Sequence, residues 1–429
     1  MAPSAVANGV PSSEATATKT TTTERPLSPR HRWWWDRIAP LLESNLRSAK
    51  DFSAEDMADH MRIIRDVAIP TLGPPTPEAA VRPLLTSDGS PFESSWNFQT
   101  GSDGVVRYTF EPLGDMAGTP EDPFAGQIIP TLSPILAKAA PDTDMRWFDQ
   151  IVEAWVVTPD EAALARKKMP AHVERIPQIF VAFDMKGPER LLKAYFFPML
   201  KHFAHDIPTE TLELDMIRSL KPSGDRFVAG AEKVMAYLAA RAEPCPVEMM
   251  AIDCVDPAKA RIKVYARAQA NSMAELRDGM TLGGTQTDEA TLRGVETAAK
   301  IWHLLLDERD GMADGQSKAP HNPRTLHKGI CYVFELRADQ ERIEVKAQIP
   351  IFQTSASDDK TVKNVVESLR ILGWDKAADK FKKGAKESAH CLDYTKHGGL
   401  SYLSFSYNEK GPYLSCYFSP LCLEGGNTS

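Results

Sequence analysis

VEMMAIDCV at residues 247–255 and ARIKVYAR at 260–267 stand on either side of Asp256, Pro257, Ala258 and Lys259. Both runs are short and rich in β-branched and apolar residues, and the connection carries Asp and Pro, which together describe a β-hairpin. Strand side chains alternate between two faces. Arg261, Lys263 and Tyr265 therefore share one side of the second run, and Ile262 and Val264 share the other. One face takes two cations and a phenol, while the other is apolar.

Four more pairs of the same kind lie outward from this one. They are PFESSWNF (91–98) with VVRYTFEP (105–112), PQIFVAFDM (177–185) with RLLKAYFFP (190–198), GICYVFELR (329–337) with RIEVKAQIP (342–350), and LSYLSFSYN (400–408) with PYLSCYFSP (412–420). Helical patterns fill the gaps, for example near 142–156, 226–243 and 291–307. Ahead of the first pair, WWWDRIAPLLESNL reads as a helix, with Trp33–Trp35 as core packing. A second helix begins at the N-cap Ser53 and stops before Pro70. Five hairpins with intervening helices predict an α+β fold, a closed barrel of ten antiparallel strands inside a helical layer, because closure removes exposed edges. Propellers need four strands per blade, and parallel α/β folds alternate single strands with helices, so neither fits.

The 429 residues are 42% hydrophobic and 25% charged, normal for a globular chain. Residues 1–30 are dominated by Ala, Ser, Thr, Pro and Gly and predict a disordered lead; 31–422 form one barrel domain of five units, and 423–429 a short tail. Lys and Arg number 50 against 58 Asp and Glu, a net charge of −8. That balance argues against a nucleic-acid partner. No apolar run is long enough for a membrane span, and the six cysteines form no CxxC pair, so a reduced cytoplasmic protein, monomer or homodimer, is expected. The sequence has no HExxH, and its closest histidine pair, His202 and His205, lacks a third ligand, so no metal or other cofactor is expected.

The second strand of every hairpin repeats the two-faced pattern. Lys193 and Tyr195 oppose Leu192, Ala194 and Phe196. Lys346 and Gln348 oppose Val345, Ala347 and Ile349. Arg107 and Thr109 oppose Val106, Tyr108 and Phe110, and Tyr413, Ser415 and Tyr417 share a side. On one strand alone, the polar face reads as wet surface over a core. If helices cover the outside, however, they need the apolar faces, and the cations and tyrosines line the lumen. Arg107, Lys193, Arg261, Lys263 and Lys346 together then demand a polyanion such as a diphosphate. Tyrosines beside it could stabilise a carbocation through their π faces.

The hairpin series, with SPFESSWNF, LLKAYFFP, ARIKVYAR, RDGMTLGG and KGPYLSCYFSP, resembles the fungal aromatic prenyltransferases of the dimethylallyltryptophan synthase family over residues 35 to 420. The resemblance implies an αββα barrel. It implies transfer of a prenyl group, usually dimethylallyl from its diphosphate, to an electron-rich aromatic acceptor without an essential metal. The five cations named above match those that hold the donor diphosphate, and Tyr195, Tyr265, Tyr413 and Tyr417 match the tyrosine shield. Glu93 matches the glutamate that accepts the acceptor's N–H. Leu84 and Leu85 match positions whose backbone lines the acceptor site, and Trp96 is placed beside them. Gln348 departs from a K-x-Y pattern. Near Glu248, members that act on free tryptophan carry an arginine; VEMMAID has none, which argues against free tryptophan.

Read without the resemblance, Glu93 is either an exposed edge charge or a positioned base. RDGMTLGG (277–284) lacks P-loop spacing and reads as a turn after a helix. Asp358-Asp359 lacks the third carboxylate of DDxxD and opens the next helix. The sequence thus supports an enzyme of fungal secondary metabolism that performs a Friedel–Crafts-type substitution. Its acceptor is an indole alkaloid, a cyclic dipeptide or a phenolic or polyketide ring. A non-catalytic binder of an anionic isoprenoid, or a structural barrel with a wet lumen, would use the same strands.

Overall fold

The computed structural model describes residues 26–49, 52–75, 81–100, 105–388, 392 and 398–420. The ten strands are β1 (Phe92–Gln99), β2 (Val105–Phe110), β3 (Ile179–Lys186), β4 (Glu189–Phe196), β5 (Val247–Asp253), β6 (Arg261–Arg267), β7 (Cys331–Arg337), β8 (Glu344–Ile349), β9 (Leu400–Asn408) and β10 (Gly411–Phe418). Each pairs antiparallel with its sequence neighbours, and β1 pairs with β10, from Ser94 opposite Phe418 to Gln99 opposite Tyr413, so the sheet closes into a barrel. All five hairpin turns therefore lie at one end of the barrel. The longer connections, which carry the helices, leave from the other.

Alternation along the strands sets the layers. Outward residues such as Trp96, Tyr108, Phe183, Phe196, Ile262 and Phe334 are buried in the main core between barrel and helices. Phe381, on the helix Asp375–Ser388, packs 5.4 Å from Trp96, and Phe148, on Arg146–Trp155, packs 5.5 Å from Phe196. Burying a large aromatic in this layer is worth roughly 1.5–3 kcal/mol.

The helix expected from Ser53 runs Ala54–Ile63, with a capping box between Ser53 and Asp56. It does not end there. A π-turn (Ile64–Ala68) and a 3-10 turn (Ile69–Thr71) carry the chain through Pro70, which sits in the first positions of the latter, where its missing N–H costs nothing. The first helix, Pro29–Ala49, begins inside the stretch read as a disordered lead. Residues 1–25, the rest of that lead, and 421–429, the end of the expected domain and the 423–429 tail, lie outside the described residues. Trp34 is fully buried, as core packing requires.

Within RDGMTLGG, Arg277–Met280 close a helix and the rest turns. A Cβ at Gly279 would lie 2.3 Å from the Tyr332 ring, so this glycine serves close packing. Gly283 and Gly284 take positive φ angles of 67° and 83°. Asp358 opens the helix Asp358–Ile371, and its carboxylate accepts the Gly399 N–H at 2.8 Å. Among the described residues no helix is long and apolar enough to cross a membrane.

Candidate active site

The inward faces of the strands enclose a cavity of about 900 Å³. Toward the hairpin end its wall is built of interlocked charges. Arg107 faces Asp184 across β2 and β3, and its guanidinium donates to both carboxylate oxygens; Lys193 donates to the same carboxylate. One strand further, Asp253 accepts from Arg261 Nε at 2.5 Å and from Lys263 Nζ at 3.2 Å. Glu335 takes Arg261 Nη1 at 3.1 Å and Arg337 Nη2 at 2.5 Å. These cations hold Asp184 and Asp253 well below the usual carboxylate range despite burial.

The expectation that the lumen cations demand a polyanion is thereby corrected. Asp184, Asp253 and Glu335, on the first strands of their hairpins, already neutralise most of that charge. Lys346 differs. Among the described residues it has no hydrogen-bond or ion-pair partner, and its ammonium lies 4.4 Å from the centre of the Tyr413 ring. Burial, with Arg107 nearby, pushes its pKa down to about 7.

Tyrosines lie beside and above the cations. Tyr195 meets Tyr265 edge-on at 6.0 Å, and Tyr417 meets Tyr402 at 6.5 Å. Burial pushes all of these phenols up, Tyr413 to about 12, so they are neutral at pH 7. Gln348 donates to Tyr417 Oη at 3.4 Å and faces Cys331 across β7 and β8. This sector of the wall carries an amide and a thiol where a ring would stand.

The end away from the hairpins is less charged. Glu93, only 8% exposed, accepts the Ser401 hydroxyl at 2.6 Å, and burial together with Asp88 pushes its pKa up to about 8. Leu84 and Leu85 line the same end, and their N–H groups donate to Glu111 at 2.6 and 3.2 Å. Glu111 is paired with Arg175, both buried, so an ion pair beneath the loop fixes it over the opening. His327 shares a 2.8 Å hydrogen bond with Tyr402, and burial beside Arg267 pushes it down to about 3, leaving it neutral.

Trp96 is not part of this site. Glu93, Ser95 and Asn97 point inward, so Trp96 points outward against Phe98 and Phe381, and it does not line the cavity. All the other sequence-selected residues line it except Ser415. Alternation read along the second strands missed Asp184, Asp253, Glu335 and Tyr402, which stand on first strands, and Arg267, which stands one step beyond Tyr265. Each stands two residues, or a multiple of two, from a lumen residue on its own strand, so the alternation itself was the signal. An arginine does stand beside Glu248, as Arg267 of the neighbouring strand, with its Nε and Nη2 donating at 2.6 and 2.9 Å.

Chemically, the cavity can hold a polyanion at Lys346 and the ion-pair belt, a carbocation among phenols, and a flat neutral ring against a protonated or freshly ionised carboxyl. The family model for tryptophan dimethylallyltransferase matches residues 30–384. An indole diterpene prenyltransferase of Tolypocladium album is 34% identical over 415 residues, 92% of this chain and 94% of that protein. An indole prenyltransferase of Emericella nidulans is 31% identical over 417 residues, 92% and 97% of the two chains. The crystal structure of AnaPT from Neosartorya fischeri shares the fold with a TM-score of 0.80 and 25% identity, covering 94% of this chain and 96% of its own.

Proposed function

The chain belongs to the tryptophan dimethylallyltransferase family and is a prenyltransferase, and from that premise we propose that it moves dimethylallyl from its diphosphate onto an indole-type acceptor in fungal secondary metabolism. The observation that carries this reading is the order of groups along one lumen: paired cations with Lys346, then tyrosines, then Glu93 with its pKa raised to about 8.

In the reaction, the bond between allyl carbon and diphosphate oxygen breaks and its electron pair leaves with the diphosphate. Arg107, Lys193, Arg261, Lys263 and Lys346 stabilise that charge, and the diphosphate restores the proton that burial withdraws from Lys346. Tyr195, Tyr265, Tyr413 and Tyr417 flank the allyl cation with π faces and keep water off. A ring carbon of the acceptor supplies the electrons of the new C–C bond. Glu93, as carboxylate, accepts a hydrogen bond from the acceptor's N–H and stabilises the charge that grows there; the ring C–H proton then passes to the released diphosphate, which restores aromaticity. The donor is bound by side-chain cations, so the reaction is proposed to be metal-independent.

Support for an indole with a large apolar body comes from the rim. Leu84 and Leu326, 41% and 73% exposed, both line the opening and offer greasy contact to whatever protrudes. The relatives named above act on indoles or indole diterpenes by their names. The test is incubation with C5, C10 and C15 diphosphates against indole, cyclic dipeptide and phenolic acceptors, with and without EDTA, read by mass spectrometry. A prenylated indole product that persists in EDTA is expected. No diphosphate release with any acceptor would overturn the reading, and loss in EDTA would overturn its metal-independence.

A further inference from the structure

Glu248 and Arg267 stand on the cavity wall but have no part in the chemistry just described. A register shift between Val247 and Met249 turns Glu248 toward Arg267, and the two form a two-point ion pair. The pairing uses Nε and Nη2 of the guanidinium. Nη1 is buried and has no partner among the described residues, although Arg267, whose side chain is 8% exposed, lines the cavity. Glu248 is 29% exposed and has carboxylate lone pairs to spare. Arg267 ends β6 and Glu248 lies at the start of β5, both away from their hairpin turn, so the pair lies within the half of the lumen that Glu93 occupies.

We propose that this pair reads a neutral oxygen on the acceptor, a hydroxyl or carbonyl, and rejects a carboxylate. The inference rests on placing the acceptor ring at Glu93. A buried donor without a partner is costly, and a ligand oxygen that meets Nη1 removes that cost. A hydroxyl can accept from Nη1 and donate to Glu248. A carboxylate gains the same donor but must sit beside the Glu248 charge, which has already neutralised the guanidinium. Glu248 thus converts an arginine that would welcome acidic acceptors into a reader of alcohols and carbonyls.

The probes are indole-3-propanol and indole-3-propionate, which share a ring and differ in the terminal group. Their dissociation constants are measured by calorimetry in the presence of dimethylallyl thiolodiphosphate, for wild type, Glu248→Gln and Arg267→Met. Wild type is expected to favour the alcohol by tenfold or more. Glu248→Gln should shift the ratio at least tenfold toward the acid, and Arg267→Met should weaken the alcohol and flatten the preference. A merely structural role would weaken both probes alike and leave their ratio unmoved. An unmoved ratio in Glu248→Gln overturns the proposal even if Arg267→Met fails to fold, and so does the absence of binding of both probes to wild type. Because the readout is binding, a shifted ratio supports the pair's role even if no prenylated product forms, a failure that would count against the prenyl-transfer reading alone.

Discussion

The two ends of the lumen bury titratable groups by opposite means. Toward the hairpins, carboxylate and cation alternate across neighbouring strands, and mutual pairing keeps Asp184 and Asp253 ionised in a buried wall. Toward the acceptor opening, Glu93 meets a hydroxyl and His327 a phenol, and burial drives both toward their neutral forms, with pKa values of about 8 and about 3. One end pairs most of its charges; the other holds the ion pairs Glu111–Arg175 and Glu248–Arg267 but, among the described residues, leaves Glu93 and His327 without a charged partner. The contrast suits a reaction that parts a diphosphate from a cation at one point and draws electrons from a neutral ring at another. Lys346 is the exception at the charged end, a lysine with no ion-pair partner among the described residues, where the leaving group's charge is proposed to arrive.

The largest effect is expected at Glu93. Glu93→Gln keeps the shape but cannot become an anion, so turnover should fall by roughly 10²–10⁴ with donor binding little changed. The folded-state pKa lies above the unfolded one, so the contribution of Glu93 to stability is greatest below about pH 4.5 and is lost as pH rises through about 8. Glu93→Gln should remove that part of the decline, which melting curves at pH 6 and pH 9 will show. Equal turnover in both proteins would take Glu93 out of the chemistry.

The outer face should respond in stability alone. Trp96→Ala should cost about 3–5 kcal/mol and leave the acceptor KM of the surviving folded enzyme unchanged; a raised KM with an unaltered melt would put Trp96 back at the acceptor. Adjacent residues on β6 test the same division. Lys263→Ala should lower turnover roughly ten- to a hundredfold, since a charge-assisted contact contributes about 1.5–3 kcal/mol, with a modest change in melting. Ile262→Ala should melt early with near-normal specific activity. The reverse pattern would mean that β6 is inside out.

The smallest effect concerns Lys346. Its pKa of about 7 means that the empty enzyme loses this charge as pH rises above neutrality, so donor affinity should fall severalfold between pH 6.5 and 8.5. Lys346→Arg keeps its charge and should flatten that fall. Parallel slopes for the two proteins would show that another group governs donor binding.

Most of the barrel was legible because period-two alternation is a strong signal when it recurs in five hairpins. The ten strands fall within three residues of their expected limits, since the turn residues between them punctuate the chain sharply. The site was legible wherever that rule was applied and obscure where it was not. Carried one step further along ARIKVYAR, it reaches Arg267; applied to SPFESSWNF, it separates Glu93 from Trp96. The carboxylates Asp184, Asp253 and Glu335 were overlooked because attention to cations treated each second strand by itself, whereas charge balance is a property of neighbouring strands. The raised pKa of Glu93 was out of reach, because it depends on a depth of burial that no local pattern encodes and that outweighs the hydrogen bond from Ser401.

Closure through β1 and β10 has a consequence for how the protein comes into being. Glu93 and its partner Ser401 are 308 positions apart in sequence, and β1 meets its second neighbour only in the last strand. A chain emerging from the ribosome therefore carries β1 as an open strand edge, able to join strands of other chains, until nearly all of the enzyme has been made. The polar inward face of β1 leaves such premature pairing without a fully apolar surface to bury. The lumen proposed to protect a reactive cation does not exist until its final hairpin arrives, so catalytic competence and escape from aggregation come in the same late step.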